Sequence, residues 1–558
     1  MSDLTIHRRL TKPGLTDQVD ILDINGNMDK LDLIKDQAAI TVGHATYITK
    51  RPFQVDYICD GVEDNVQIQA AIDIVDSYGG GTVRILPGTY VIHNEIVPKT
   101  NVRIEMESGA IIQIMSQLRT ALTSDLDWNE YTFTVVDATG FKAGMRIGWT
   151  IGSDTGYVVG YIGTIDTVVG NTVTVLNEPT KRTTGQNLTV SGGAHLISYF
   201  SAIHAESVDG WGIAGGIIDG NKVNCLVYLQ NKDQDMNGII FGSCRNILID
   251  HVEVKNTLFQ GIHVCGRIAQ GVVLNKCYVH DCSSSGICLD SIDEIVTVID
   301  CISVDNSPAG LQLIDVAYAS VIGGYYVNNG VWNIRLGFVE TMSHNRISGA
   351  YVEGVIGISL LNCLGTVVSG CIAKDCTVGL KLDAEDGYFS THNLISDCVF
   401  DGCAIGIEEV ATCIYNDIKN PKFIDCATKL SLAGTSTTYT YSDGGNNYLS
   451  GLTEMTYLKL LATSNALQFG TQFHFEIIGG NIFKIVQTGV AERLEVGSEL
   501  KMNSHHVPEI TPHTSDPTVT DDIDLGYRSG DTWINTSGQK VWVCISNADG
   551  AAVWKQTG

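Results

Sequence analysis

Gly238-Ile-Ile-Phe, Gly261-Ile-His-Val, Gly286-Ile-Cys-Leu, Gly310-Leu-Gln-Leu, Asn333-Ile-Arg-Leu, Gly357-Ile-Ser-Leu, Gly379-Leu-Lys-Leu, Gly406-Ile-Glu-Glu and Lys429-Leu-Ser-Leu are variants of one phrase, Gly-apolar-x-apolar. Successive copies start 23, 25, 24, 23, 24, 22, 27 and 23 residues apart. A short alternation held at such a period is the mark of a solenoid, in which each unit buries its apolar face only against its neighbours. Apolar residues two apart, bounded by Gly, Asn or Asp, make each copy a strand and not a helix. A second strand recurs in each unit, as in Asp250-His-Val-Glu-Val, Lys276-Cys-Tyr-Val, Cys301-Ile-Ser-Val and Cys371-Ile-Ala-Lys. It runs into Asn256, Asp281, Asn306, Asn329, Asp375, Asp401 or Asp425, side chains that tolerate the left-handed backbone of a tight corner. The expected fold is all-β, a right-handed parallel β-helix.

Outward from the repeat, the flanks read differently. Asp64, with Gln67 three residues on, has the pattern of a capping box, and Ile68, Ala71, Ile72 and Val75 follow at helical spacing. Gly79-Gly-Gly stops that helix, which would cap the open end of the solenoid. Residues 121–200 lose the rhythm and carry strands separated by Gly and Asn, the pattern of a small inserted β domain. The expected divisions are 1–50 as an N-terminal attachment segment, 51–435 as the solenoid, 436–505 as a β-rich stem, and 506–558 as a tether and tip module.

Bulk properties narrow the function. A net charge of −27 leaves no basic surface for nucleic acid or for an anionic membrane. No apolar run is long enough to span a bilayer, and Met1–Leu10 lacks the apolar core of a signal peptide, so cytoplasmic accumulation is expected. The 16 cysteines sit mostly at repeat positions beside apolar residues, as expected of reduced thiols filling coil interiors. No metal-ligand spacing or cofactor motif is present, so neither a metal nor a cofactor is expected.

Asp60-Gly-Val-Glu-Asp-Asn, the short helix, Gly79-Gly-Gly-Thr-Val and Leu86-Pro-Gly-Thr-Tyr together resemble the opening of pectate-lyase-like β-helix proteins, in the branch of bacteriophage tailspikes and tail appendages. That resemblance implies a homotrimer in the virion tail, attached through its N-terminus to tail or baseplate proteins, whose partner is a host surface polysaccharide. The superfamily includes hydrolases, lyases, epimerases and non-enzymes, so fold does not decide chemistry. The paired-Asp, His-Gly and Arg-x-Lys signatures of polygalacturonases are missing from this chain.

The apolar residues of each phrase point inward, so the residue between them points out. Stacked coils then present the row His263, Cys288, Gln312, Arg335, Ser359, Lys381, Glu408. Asp290, Asp293 and Glu294 follow one of these strands, and Asp315 follows the next. Asp290 with Asp315 is the leading carboxylate pair for glycosidic cleavage, with Asp293 and Glu294 beside it. His263, Gln312 and Arg335, with Tyr527 in the tip, are the expected glycan contacts. Asp383, Glu385 and Asp386 form a second acidic cluster, read either as a solvated loop or as a site for calcium-dependent lyase chemistry. A tailspike that depolymerises its receptor and an adhesive appendage that only holds it remain as alternatives.

Overall fold

The structure is a computed structural model that describes residues 38–48, 55–126, 130–150, 159–176, 188–225, 236–337, 342–434, 437–441, 510–519, 531–546 and 551–557, with short strands elsewhere. Three long parallel sheets, of 10, 15 and 11 strands, wind around one core. The 10-stranded sheet, here the site sheet, is built from the repeated phrase and runs from Ile203–Glu206 to Thr428–Leu432. Its inward row is Ile239, Ile262, Ile287, Leu311, Ile334, Ile358, Leu380, Ile407 and Leu430, each the register partner of the next. All nine are buried, and their steps reproduce the spacings of the sequence repeat.

The glycine of the phrase is there for room. Gly286 and Gly310 do not take positive φ, yet a Cβ on either would stand 2.6 and 2.5 Å from the Nδ2 atoms of Asn306 and Asn329. Those two asparagines are buried and form a ladder. Asn329 Oδ1 accepts from the backbone N–H of Asn306 at 3.0 Å and from its Nδ2 at 3.1 Å. Asn329 Nδ2 donates to the Ser303 carbonyl at 2.9 Å and to Asn333 Oδ1 at 3.0 Å. Asn333 stands where the phrase lacks its glycine, and its side chain is the end of the ladder. The expected corner role of Asn306 and Asn329 therefore passes one residue back, to Asp305 and Asn328, which hold φ of 55° and 53°. Asn256, Asp281, Asp375 and Asp425 are left-handed corners as expected, whereas at Asp401 the left-handed residue is Gly402.

At the N-terminal end the helix Asn65–Ser77 buries Ile68, Ala71, Ile72 and Val75. Asp64 does not cap it through a side-chain bond. Its fully buried carboxylate instead accepts from the N–H groups of Asp60, Gly61 and Val91, at 3.0, 3.0 and 2.9 Å, tying the helix entry to strand Gly88–Ile92.

Residues 119–198 contain a six-stranded antiparallel sheet inserted between coils. Its outer strands, Arg119–Ala121 and Thr132–Thr134, meet through the bridge of Leu122 with Val135, so the insertion closes on itself. Arg146 anchors it to the solenoid: its guanidinium lies 3.1 Å from the Glu95 carboxylate, which His204 Nδ1 also approaches at 3.0 Å. Burial opposes ionisation of Glu95, but His204 and Arg146 hold its carboxyl below the usual range.

All 16 cysteines are free and 13 are buried. Cys277 adjoins Cys301, Cys371 adjoins Cys398 and Cys376 adjoins Cys403 on successive coils, so interior thiols stack as the sequence implied. In the site sheet, the seat of Glu409 breaks the apolar rule of its inward row. Glu409, 1% exposed, occupies the position held by Leu382 and Leu432 on neighbouring coils. Its Oε1 accepts from Asn416 Nδ2 at 2.8 Å and Thr437 Oγ1 at 2.7 Å, and burial pushes its carboxyl above the ordinary range.

The chain divides into two compact units, Met1–Gly470 and Thr471–Gly558. Within the second, Phe473–Ile478 and Ile482–Gln487 form an antiparallel pair. Ile510–His513, Thr532–Asn535, Lys540–Ser546 and Val553–Gln556 form a four-stranded sheet. Residues 510–513, expected in a flexible tether, are thus a strand, pairing in parallel with Thr532–Asn535. Trp533 is the small core of this sheet: it is buried, stacks on His513 with ring centroids 3.4 Å apart, and donates Nε1–H to the Ser515 carbonyl at 2.7 Å. Among the described residues no helix is long and apolar enough to cross a membrane.

Candidate functional site

The outward row of the site sheet runs in the order read from sequence. His204, Ile240, His263, Cys288, Gln312, Arg335, Ser359, Lys381, Glu408 and Ser431 are successive register partners. Pointing out of the coil does not make them all accessible. Ile240, His263, Cys288, Gln312 and Ser359 are buried. His263 is therefore not the surface histidine expected. It is fully buried with Nε2 3.8 Å from Asp290 Oδ2. Beside it, burial and then Asp290 push the Cys288 thiol well above its ordinary value, which keeps it protonated and unlike an activated nucleophile. Gln312 is held from within, accepting from Ser285 Oγ at 2.7 Å.

The expected carboxylate pair does not share a row. Asp290 is the register partner of Ile314, and Ile292 of Val316, which sets Asp315 opposite Ser291. Ser291 and Asp315 both adopt left-handed backbone, with φ of 54° and 50°, at a bend that sequence alternation does not reveal. Asp290 Oδ1 accepts from Ser291 Oγ at 2.8 Å. Asp293 and Glu294 turn back to the preceding coil, where Asp293 pairs with Arg267 at 3.6 Å and Glu294 accepts from Gln270 Nε2 at 3.3 Å. Both are solvated surface contacts of small energetic weight. Tyr527 lies outside the described residues.

Further along the same sheet the outer face opens. A cleft of about 340 Å³ is lined by Trp332, Arg335, Ser359, Leu361, Asp383, Ala384 and Glu385. The Arg335 guanidinium carbon lies 4.1 Å from the Trp332 ring centroid, a cation–π contact that fixes both side chains across the floor. Burial pulls the Arg335 guanidinium below the ordinary arginine range, and Glu385 and Asp383 act against that pull. Leu361 pairs in register with Asp383, which places the acid one coil beyond the apolar wall. Lys381 Nζ lies 2.7 Å from Asp383 Oδ2, and the Glu385 N–H donates to Asn362 Oδ1 at 2.9 Å, so the loop start is pinned to the preceding coil. An aromatic face, a guanidinium and two carboxylates around one depression are the groups that stack on a sugar ring and bind its hydroxyls. Trp332 is half-buried in this cleft, while on neighbouring strands Tyr326 is core and Tyr325 is exposed. Sequence reasoning singled out Asp383, Glu385 and Arg335 separately. Counting rows from Arg335 through Ser359 to Lys381 would have joined them.

Among the described residues, no three His, Cys, Asp or Glu side chains come together in a way that could hold a metal ion. No protein-family profile matches the chain, and no curated protein sequence matches it. Solved structures do match its backbone course. The A-module of mannuronan C-5 epimerase AlgE4 from Azotobacter vinelandii is 14% identical, over 71% of this chain and 99% of that one, with a TM-score of 0.42. An endo-xylogalacturonan hydrolase from Aspergillus tubingensis is 10% identical over 72% and 95%, at 0.41. ORF18 of Geobacillus virus E2 is 11% identical over 100% and 92%, at 0.40. The chain's own parallel strand register makes it a parallel β-helix.

Proposed function

We propose that this protein is a tailspike-type appendage that holds a host surface polysaccharide on the site sheet and cleaves its glycosidic bonds. The observation that carries the reading is the convergence of Trp332, Arg335, Asp383 and Glu385 on one open cleft. Trp332 offers a stacking face, and Arg335 offers N–H donors to hydroxyl oxygens. Asp383 and Glu385 supply the two carboxyl groups that glycosidic cleavage requires, one to protonate the leaving oxygen and one to act as base or nucleophile. Asp290 lies on the same sheet four coils before Asp383, about 19 Å at ~4.8 Å per coil, a length that spans several sugar residues. The resemblance of residues 60–90 to phage appendages supports a virion location and a homotrimer.

The test uses the full chain on surface polysaccharides purified from a panel of bacteria, with binding and new reducing ends read separately. Trp332→Ala should weaken binding by about tenfold or more. Glu385→Gln and Asp383→Asn should keep binding and lower cleavage by roughly 10²–10⁴. Binding and cleavage indifferent to all three substitutions would remove the cleft from the mechanism. Binding with no new reducing ends in the parent protein would make the molecule an adhesin.

A further inference from the structure

The corner that leads from the site sheet into the 15-stranded sheet forms its own column along the solenoid. It lies two residues before Gly212, Leu248, Val273, Ser320, Arg346, Val367, Leu394 and Asp417, which follow one another in register apart from the coil of Thr297 between Val273 and Ser320. The first three corners are Gly210, Asn246 and Gly271, with φ of 68°, 56° and 64°. Glycine and asparagine are the residues that adopt this backbone at least cost. Later corners keep the same backbone but change the residue: Tyr318, His344, Gly365, His392 and Tyr415 have φ of 59°, 58°, 64°, 55° and 55°. Two of these rings, Tyr318 and Tyr415, thus sit in a conformation that bulky side chains avoid, on a fold that shows three coils earlier how the corner is made without them.

The rings are ordered. Tyr318 and His344 stack with centroids 5.6 Å apart and planes 12° from parallel. His392 and Tyr415 lie 5.4 Å apart at 33°. Tyr318 and Tyr415 are 52% and 54% exposed, and both histidines are exposed, so neither pair serves the core. Between the pairs the column skips one coil, because Gly365 has no side chain. A Cβ there would lie 3.6 Å from the His344 ring, so the space beside that ring is the empty seat of a fifth side chain.

We propose that this gap is a second carbohydrate site, in which a neutral pyranose ring is held between His344 and His392 over Gly365. Two coil steps separate the walls by roughly 10 Å. A ring inserted midway stands about 5 Å from each imidazole, within the range over which rings stack. A puckered pyranose chair is thicker than a flat ring and fills that width with close contact to both imidazoles, whereas a flat aromatic ring held midway lies beyond van der Waals contact with either. The net charge of −27 disfavours an acidic sugar. The site stands apart from the Trp332 cleft and does not depend on cleavage there.

Side-chain carbon and proton resonances of His344 and His392, assigned through His344→Ala and His392→Ala, are titrated in the intact protein. The probes are methyl β-glucopyranoside, methyl β-galactopyranoside, methyl α-mannopyranoside and methyl α-rhamnopyranoside, with phenol as the aromatic control. Both histidines should shift together and saturably with at least one pyranoside. Gly365→Asn keeps a residue that tolerates this corner but fills the seat, and it should weaken the response by roughly tenfold or more. Trp332→Ala should leave the response unchanged, which separates this site from the cleft. The proposal is overturned by no saturable shift with any pyranoside, by shifts that survive Gly365→Asn, or by shifts with phenol alone, which would assign the gap to an aromatic side chain of a protein partner.

Discussion

Asn329→Ala removes the middle of the asparagine ladder beneath the strands that carry Gln312 and Arg335. The substitution takes away the acceptor for the Asn306 N–H and the donor to the Ser303 carbonyl, both buried. Asn306 Nδ2 keeps the Val279 carbonyl and Ser303 Oγ, so its loss is partial. A buried N–H left without an acceptor costs about 1–3 kcal/mol, and the orphaned carbonyl with the small void adds about 1–2 more. The sum is about 2–5 kcal/mol, with a centre near 3.5. In a solenoid such a loss is felt mainly by the coils that share the ladder, because each coil contacts only its neighbours. At 1.4 kcal/mol per tenfold, amide hydrogen exchange over residues 303–336 should accelerate by about 10²–10³. Peptides from Gly88–Ile92 should exchange as before. Exchange in Ala309–Val316 within threefold of the parent protein would refute the view that the ladder holds these strands. An acceleration spread evenly along the solenoid would refute the local accounting.

Glu409→Gln tests the interior carboxyl. Its proton is retained in the folded state above the ordinary glutamate value of 4.5, so the folded state binds more protons than the unfolded one in that window, and stability falls as pH rises through it. The amide should remove this slope, and its advantage in urea midpoint should grow between pH about 4 and about 8; an equal difference at both would contradict the assignment. For the thiols, titration with a chromogenic disulfide should find few reactive groups in native protein and 16 after denaturation, since 13 are buried. Fewer than that after denaturation without reductant would mean disulfides and a different interior.

The inward row was fully legible because Ile262, Ile287 and Leu311 recur in one phrase, and parallel pairing in register leaves such a repeat no other seat. Alternation also fixed which side chains point out, and the order His263 to Glu408 stands. It does not tell what lies over the sheet, which is why His263 is buried while Arg335, three coils on, lines an open cleft. Asp290 and Asp315 stand one position apart in the register that a step of 24 residues already gives, and the left-handed backbone shared by Ser291 and Asp315 leaves that register unchanged. Asp64 satisfied a local capping rule, yet its carboxylate reaches Val91, a contact 27 residues away that no short pattern contains. Asn306 and Asn329 had the composition of corners and the environment of a core. Only the neighbouring glycines, kept at Gly286 and Gly310 without positive φ, hinted at a side chain needing their space.

Because all three sheets advance by one strand per coil, position along this molecule is quantised. Removing one whole coil would close the ladder again in register and shorten the rod by about 4.8 Å, whereas length changes within a coil, which already vary from 22 to 27 residues, are taken up in the loops and leave the strand positions where they are. The distance from Asp290 to the Trp332 cleft can therefore change only in steps of about 4.8 Å, so a chain that gains or loses a coil between them changes that distance without redesigning either end.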